Sequence, residues 1–310
     1  MVRLFWRKLG LILILLPILN VVGFYYALVH PRLFTSGQIT PTEALNNSYS
    51  DYLSSVFRGE FGFAGQQTVR AIVMEPLQNS LILVVISLVL AIILGILFGL
   101  IAISPRTRRI SPFSLAFLSA GSSLPGFLFG GIILSLIVYQ TLYAGRGSSI
   151  LPISGYGLDE HLILHVLVLA IQPTMYIAKV TAGLLENELQ QNYIQVARSK
   201  GLNWRQLLWR HAFPNMLAPV LLTIGSSMRL IVGALVIVEA IFIWPGIGRI
   251  FLLTIGLRLD GRPTGIYFGN PPLIAFMAVF LGAMLLFADL IATMISSAVD
   301  PRLREQGVSG

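Results

Sequence analysis

Residues Tyr193–Asn215 read YIQVARSKGLNWRQLLWRHAFPN, a polar, basic passage set between two long apolar runs. Arg198, Lys200, Arg205, Arg210 and His211 crowd into it, although only 11% of the 310 residues are charged. Leu189, Tyr193, Val196, Ala197 and Lys200 recur at helical spacing and predict one stripe on a first helix. Gly201 stops that helix, because glycine is favoured just past a helix C-terminus. Asn203, with Gln206 three residues on, has the pattern of a capping box that opens a second short helix. That helix sets Trp204, Leu208 and Ala212 on one side, with Leu207 and His211 beside them, and Pro214 closes it. The passage therefore predicts a helix–glycine–helix unit standing outside a membrane. Two uses suit it: lying on anionic headgroups, or entering a groove of another protein.

The sequence on either side of the passage places it in a polytopic membrane protein. Hydrophobic residues make up 55% of the chain and mean hydropathy is +0.81, more apolar surface than a soluble domain can hide. Six apolar spans are expected near 9–29, 79–103, 113–143, 161–185, 216–243 and 272–297. The basic, apolar N-terminus has the look of a secretory signal, but its run of about 20 residues is long enough to span and no small-x-small cleavage site follows. It reads as an uncleaved first helix. The third span is interrupted by GSSLPG (121–126), which predicts a tilt or kink near Pro125. Pro173 predicts another kink.

The net charge of +8 follows the positive-inside rule better than it suggests nucleic-acid binding. With the N-terminus cytoplasmic, Arg3, Arg7, Lys8, Arg106, Arg108, Arg109 and the 198–210 cluster share the basic side. Both termini then fall in the cytoplasm. The chain divides into a first helix with external region (1–78), a five-helix core (79–297) containing the loop 186–215, and a cytoplasmic tail (298–310). There is no cysteine, which removes disulfides and thiolate metal sites. The histidines lack helical pairing for a metal, and no G-x-x-x-x-G-K-[ST] phosphate loop occurs. No Ser/His/Asp or paired-carboxylate set points to catalysis.

Arg229, Glu239 and Asp289 lie in or at the edges of apolar spans. Each would cost about 2.5–3.5 kcal/mol facing lipid at mid-bilayer, so each is expected to face the protein interior or an aqueous path. Tying helices together, pairing with one another and gating a route all fit. Around Ser123, Pro125 and Phe127, small residues permit either close helix packing or a kinked, cavity-lining segment. Trp244, Pro245 and Gly246 suit an aromatic turn at the membrane interface.

The passage YIQVARSKGL…HAFPN resembles the EAA loop of ABC-importer permeases of the dipeptide/oligopeptide/nickel type. GEFGF (59–63), VRAIVMEPLQNSLIL (69–83), SLPGFLFG (123–130), LPISGYG (151–157), GALVIVEAIFIWPGIGR (233–249) and DPRLRE (300–305) resemble further segments of that family, in order. The acidic residue usual just before the tyrosine is Asn192 here, and LRLDGRPTGIYFGNPP (257–272) replaces the family's short loop.

The resemblance implies an all-α polytopic protein with about six transmembrane helices, the type I ABC importer permease fold, in a prokaryotic cytoplasmic membrane. It implies a non-catalytic subunit carrying peptides by alternating access. Its implied partners are a second permease, two ATPases that bind the ATP and Mg, and an external binding protein. Tyr193, Val196, Ala197, Arg198, Lys200, Gly201, Leu202, His211 and Asn215 would couple to the ATPases. Ser123, Pro125, Phe127, Arg229, Glu239 and Asp289 would line or gate the path. Trp244, Pro245 and Gly246 would lie where the binding protein docks. Nickel chelates or oligosaccharides remain open as cargo. An ion-coupled secondary transporter and a non-transporting scaffold remain open as other classes.

Overall fold

A computed structural model describes residues 2–34, 48–143, 152–153, 155–256 and 269–299. Residues 35–47, Arg146, Arg258, Arg262, the DPRLRE motif and the tail from residue 300 lie outside the described residues. Among the described residues, five helices are long and apolar enough to cross a membrane, and a sharply bent pair makes up to six. Apart from one tiny hairpin the described secondary structure is helical.

Helix α1 (Val2–Phe34) leaves much of its apolar surface exposed, Leu13 and Ile14 among it, as a lipid-facing helix does. Its inner side packs along the last described helix, α11 (Pro271–Val299). The short α2 (Tyr49–Phe57) is capped by the Ser48 side chain, which accepts from the Ser50 N–H. It rests on α1 through an aromatic cluster of Phe24, Tyr49 and Tyr52. Asn20 on α1 hydrogen-bonds both tyrosine hydroxyls. The strands β1 (Phe63–Ala64) and β2 (Gln67–Thr68) form an antiparallel hairpin. Together these elements make a small cap.

Helix α3 (Val69–Ile101) starts ten residues earlier than the apolar run near 79 predicts. The Thr68 side chain caps it by accepting from Ala71, and the polar turn before Asn79 continues the helix beyond its most apolar part. Pro76 lies inside it. Its main partner is α6 (Glu160–Leu189), and two glycines allow the contact. A Cβ on Gly95 would come within 2.7 Å of the Ile177 Cβ, and one on Gly99 within 2.6 Å of the Thr181 Cβ. Small residues spaced by four let two helices approach this closely inside a membrane.

The third span is more than kinked. Helix α4 (Pro112–Ser123) and helix α5 (Gly126–Leu142) meet at 95°, which is a break. Pro125 has no N–H to continue a helical ladder, and it drives Leu124 to extended backbone at ψ 129°. The freed Gly126 N–H is taken by the Gln172 side chain on α6, 3.2 Å away. Helix α6 itself runs on through Pro173.

A turn at Gln190–Gln191 separates α6 from α7 (Asn192–Ser199). Helix α8 (Trp204–Leu207) then passes through a π turn (Leu208–Ala212) into α9 (Phe213–Ile241). Trp204–Ile241 is thus one run of 38 residues. Pro214, expected to close the short helix, sits within this run instead. It is in the first turn of α9, and the Phe213 N–H reaches back to the Leu208 carbonyl. This wider register disturbs the ladder where proline has no donor to offer. Helix α10 (Ile247–Thr254) completes the set.

These contacts give the molecule two ends. Asn79 of α3 donates to the Pro245 carbonyl, and Asn270 donates to the Phe63 carbonyl. The cap, α10 and the start of α3 therefore share one end. Ile103 joins Leu185, Leu189, Leu207 and Met216 in a cluster at the other.

Candidate functional site

The 186–215 loop is built by two caps and one three-residue lock. Helix α7 ends in a Schellman motif: the Gly201 N–H donates to the Arg198 carbonyl at 2.9 Å and Leu202 N–H to that of Ala197 at 3.4 Å. Gly201 has φ +82°, a left-handed conformation that glycine adopts at no steric cost. The predicted capping box is present. Asn203 Oδ1 accepts from the Gln206 N–H at 2.9 Å, and Gln206 Oε1 accepts from the Asn203 N–H at 3.1 Å.

The lock joins three elements. The Tyr193 hydroxyl donates to Glu188 Oε1, and Asn215 Nδ2 donates to the Tyr193 oxygen at 2.8 Å and to Glu188 Oε1 at 3.0 Å. The end of α6, the start of α7 and the first turn of α9 are thereby held as one piece. Burial and the Glu188 carboxylate push the Tyr193 phenol up to about 12, although Asn215 opposes the shift. Glu188 is the hub, and sequence reading passed over it. The signal was an acidic residue five positions before Tyr193, across the helix break, rather than beside it.

The buried face of the loop differs from the predicted stripe. Leu189, Ile194 and Ala197 are buried, whereas Tyr193, Val196 and Lys200 are exposed. Helical spacing counted from Leu189 does not survive the turn at Gln190–Gln191, because α7 restarts with a new phase. The buried residues also pack against the chain's own Ile103, Leu185 and Met216, not into an external groove. Leu202 is half-buried against the same cluster and His211 is half-buried. The outward surface is Tyr193, Val196, Arg198, Lys200, Trp209 and Asn215. It is a mixed face, with Val196 and Trp209 as its apolar points.

Among the membrane charges, Asp289 on α11 accepts from both Lys8 on α1 and Arg229 on α9. One carboxylate thus joins three helices, and Arg229 also donates to the Ser226 hydroxyl at 3.2 Å. Glu239 belongs elsewhere. It is fully buried; Oε1 accepts from the Ser80 hydroxyl at 2.5 Å, and Oε2 accepts from the Gly248 and Arg249 N–H groups at 2.7 and 3.2 Å. Ser80 in turn accepts from the Ile247 N–H at 2.9 Å. Glu239 and Ser80 therefore satisfy the first turn of α10 and pin it between α3 and α9.

Trp244 is fully buried, in ring contact with Tyr156 and His165. It offers no docking surface, and Gly246 is buried beside it while Pro245 is half-buried. The turn that hides the indole is a strained one: Ile243 sits at φ +58°, where a β-branched residue is an outlier. At the break in the third span, the Ser122 and Ser123 hydroxyls both donate to the Ser119 carbonyl. Phe127 packs on the core made by α3, α6 and α9, and Pro125 is half-buried.

The architecture of apolar helices with one folded-back basic loop agrees with comparison to known proteins. Residues 91–305 match the model of the family described as binding-protein-dependent transport system inner membrane component. The chain belongs to that family. Among its relatives is the oligopeptide transport system permease protein AppB of Bacillus subtilis, 28% identical over 82% of this chain and 79% of the relative. The dipeptide transport system permease protein DppB of Lactococcus lactis is 28% identical over 98% of this chain and all of the relative. The glutathione transport system permease protein GsiC of Escherichia coli K12 is 23% identical over 86% and 82%. This family member is thus an all-α, multi-pass membrane transport component, and its resemblance to ABC permeases extends over nearly its whole length.

Proposed function

We propose that this chain is one permease subunit of an ATP-driven importer of short peptides, working by alternating access. The observation that carries the reading is the locked loop: Glu188, Tyr193 and Asn215 join it to the ends of α6 and α9. A push on Val196 or Trp209 would therefore move two transmembrane helices together. Two cytoplasmic ATPases would supply that push and hold the ATP and Mg. A second permease would complete the path, and an external binding protein would deliver the cargo. Both termini and the basic loop would face the cytoplasm, in accord with the charge distribution. The Lys8–Asp289 pair supports this by placing the start of α1 beside the later half of α11.

Peptide cargo follows the relatives named for oligopeptides, dipeptides and glutathione. The route would run along the break at Ser123, Pro125 and Phe127. Arg229 and Asp289 would hold the helices that line it, and Glu239 would hold its outer end closed or open as α10 moves. The test is uptake of a labelled dipeptide into proteoliposomes holding this chain with its second permease, ATPases and binding protein. Uptake that needs ATP supports the proposal. Equal uptake driven by a proton gradient, with the ATPases omitted, would replace it with a secondary transporter.

A further inference from the structure

The connection between α3 and α4 (residues 102–111) folds back so that Ile103 bridges Ile110. Between this connection and α7 lies an open cleft of about 770 Å3, lined by Thr107, Arg108, Arg109, Gln195, Arg198 and Ser199 among others. Among the described residues no acidic side chain lines it. None of the three arginines has an ion-pair partner among the described residues.

Arg108 is held in the left-handed region at φ +55°. Its N–H donates to the Ser104 carbonyl at 2.8 Å, and the Ser104 N–H donates to the Arg109 carbonyl at 3.2 Å. Such a conformation costs a non-glycine residue about 1–2 kcal/mol and persists only where its surroundings impose it. Arg108 and Arg198 line the same cleft. Burial and then the Arg198 charge lower the pKa of Arg108. Positive groups gathered without a counter-charge repel one another, and an anion between them relieves that repulsion. Arginine forks match phosphate oxygens bidentately.

The helix ends that carry this connection are apolar and open. Ile101, the last residue of α3, is 68% exposed, and Phe113, in the first turn of α4, is 81% exposed. Free phosphate has no use for such flanks, whereas acyl chains do. We infer that the Arg108–Arg109–Arg198 cleft binds the phosphate of an anionic phospholipid, with its acyl chains along Ile101 and Phe113. The inference rests on the proposed cytoplasmic placement of the loop, where anionic headgroups attract basic pockets. A bound lipid would tie α7 to the α3–α4 connection and so stiffen the coupling loop.

Native mass spectrometry of the full chain in mild detergent tests this, with phosphatidylglycerol and phosphatidylcholine of the same acyl chains as probes. The wild type is expected to retain phosphatidylglycerol about tenfold better, and Arg108→Gln with Arg109→Gln to lose that preference at an unchanged melting temperature. Arg108→Lys with Arg109→Lys keeps the charge and should keep part of the preference, which separates anion binding from misfolding. Equal retention of the two lipids by the wild type, or an undiminished preference in the glutamine variant, overturns the inference. Displacement of the lipid by millimolar inorganic phosphate would reassign the cleft to a free anion. If the glutamine variant keeps its lipid preference and loses only the ATPases on co-purification, the cleft belongs to the subunit interface. That result overturns the lipid site and leaves the proposed function standing. Wild-type chain that never recovers ATPases would sink the proposed function without touching the lipid measurement.

Discussion

The phenol of Tyr193 lies between a carboxylate and an amide, and its pKa is pushed up from 10.0 to about 12, by burial first and then by Glu188. The folded loop therefore favours the protonated phenol. This stabilisation is whole below about pH 10, where the free phenol is also protonated, and is lost as pH rises toward 12. An alkaline absorbance titration of wild type minus Tyr193→Phe should show the missing phenolate appearing near pH 12, and a difference centred at pH 10 would contradict the lock. Glu239 makes a second residue-scale prediction. Glu239→Ala would leave the Ser80 hydroxyl and the Gly248 and Arg249 N–H groups without their acceptor, at about 1–3 kcal/mol for each buried group left unpaired. Thermal melting in detergent should fall while the proposed ATPases still co-purify, because Glu239 is at the end opposite the 186–215 loop. Unchanged melting with lost co-purification would refute that placement. At this scale Glu239 stood out in the sequence as a charge in an apolar span, and Tyr193 and Asn215 stood out through the resemblance to the EAA loop. Glu188 and Ser80 did not stand out, because their partners are reached only across a helix break or from another helix.

Among the elements, those stops that depend on local backbone chemistry were legible. Gly201 ends α7, Asn203 and Gln206 cap α8, and Pro125 disrupts the third span as a residue without an N–H must. What failed was phase and extent. The stripe counted from Leu189 lost its register at Gln190–Gln191, and the acceptor for the Gly126 N–H freed at the break between α4 and α5 is Gln172 of α6, distant in sequence. Pro214 does not close the short helix, because the π turn at Leu208–Ala212 comes just before it and it falls in the first turn of α9. The Gly201 cap yields an element-scale prediction. Gly201→Ala has open space for its Cβ but keeps φ +82°, and should cost about 1 kcal/mol. Gly201→Pro cannot adopt that φ and also removes the N–H bonded to Arg198. Peptide uptake should be mildly reduced in the alanine variant and abolished in the proline variant, with both inserted in the membrane at wild-type levels. Wild-type uptake by the proline variant would show that the α7–α8 bend does not transmit force.

For the whole molecule, composition alone identified a polytopic membrane protein, and the ordered motifs from GEFGF to WPGIGR indicated its family. The placement of Trp244 was the main error. An aromatic turn at the end of a span looks interfacial in sequence, yet the strained Ile243 and the His165 and Tyr156 rings fold it into the interior. The assembly of α1 with the core rests partly on Asp289, which joins Lys8 and Arg229. Asp289→Asn leaves two cations facing an amide in an apolar setting. Faster protease cleavage near the start of α1 is expected, together with a lower melting temperature; cleavage at the wild-type rate would mean that α1 is held by its apolar contacts alone. The central claim is that this chain is moved through its exposed loop by ATPases it does not contain. Because the chain has no cysteine, Val196→Cys introduces its sole thiol on that surface. A short thiol-to-amine crosslinker on the active complex should join position 196 to an ATPase subunit, with a yield that changes on nucleotide binding. Full ATP-driven uptake with no such crosslink, from Val196→Cys or from Trp209→Cys, would contradict the account.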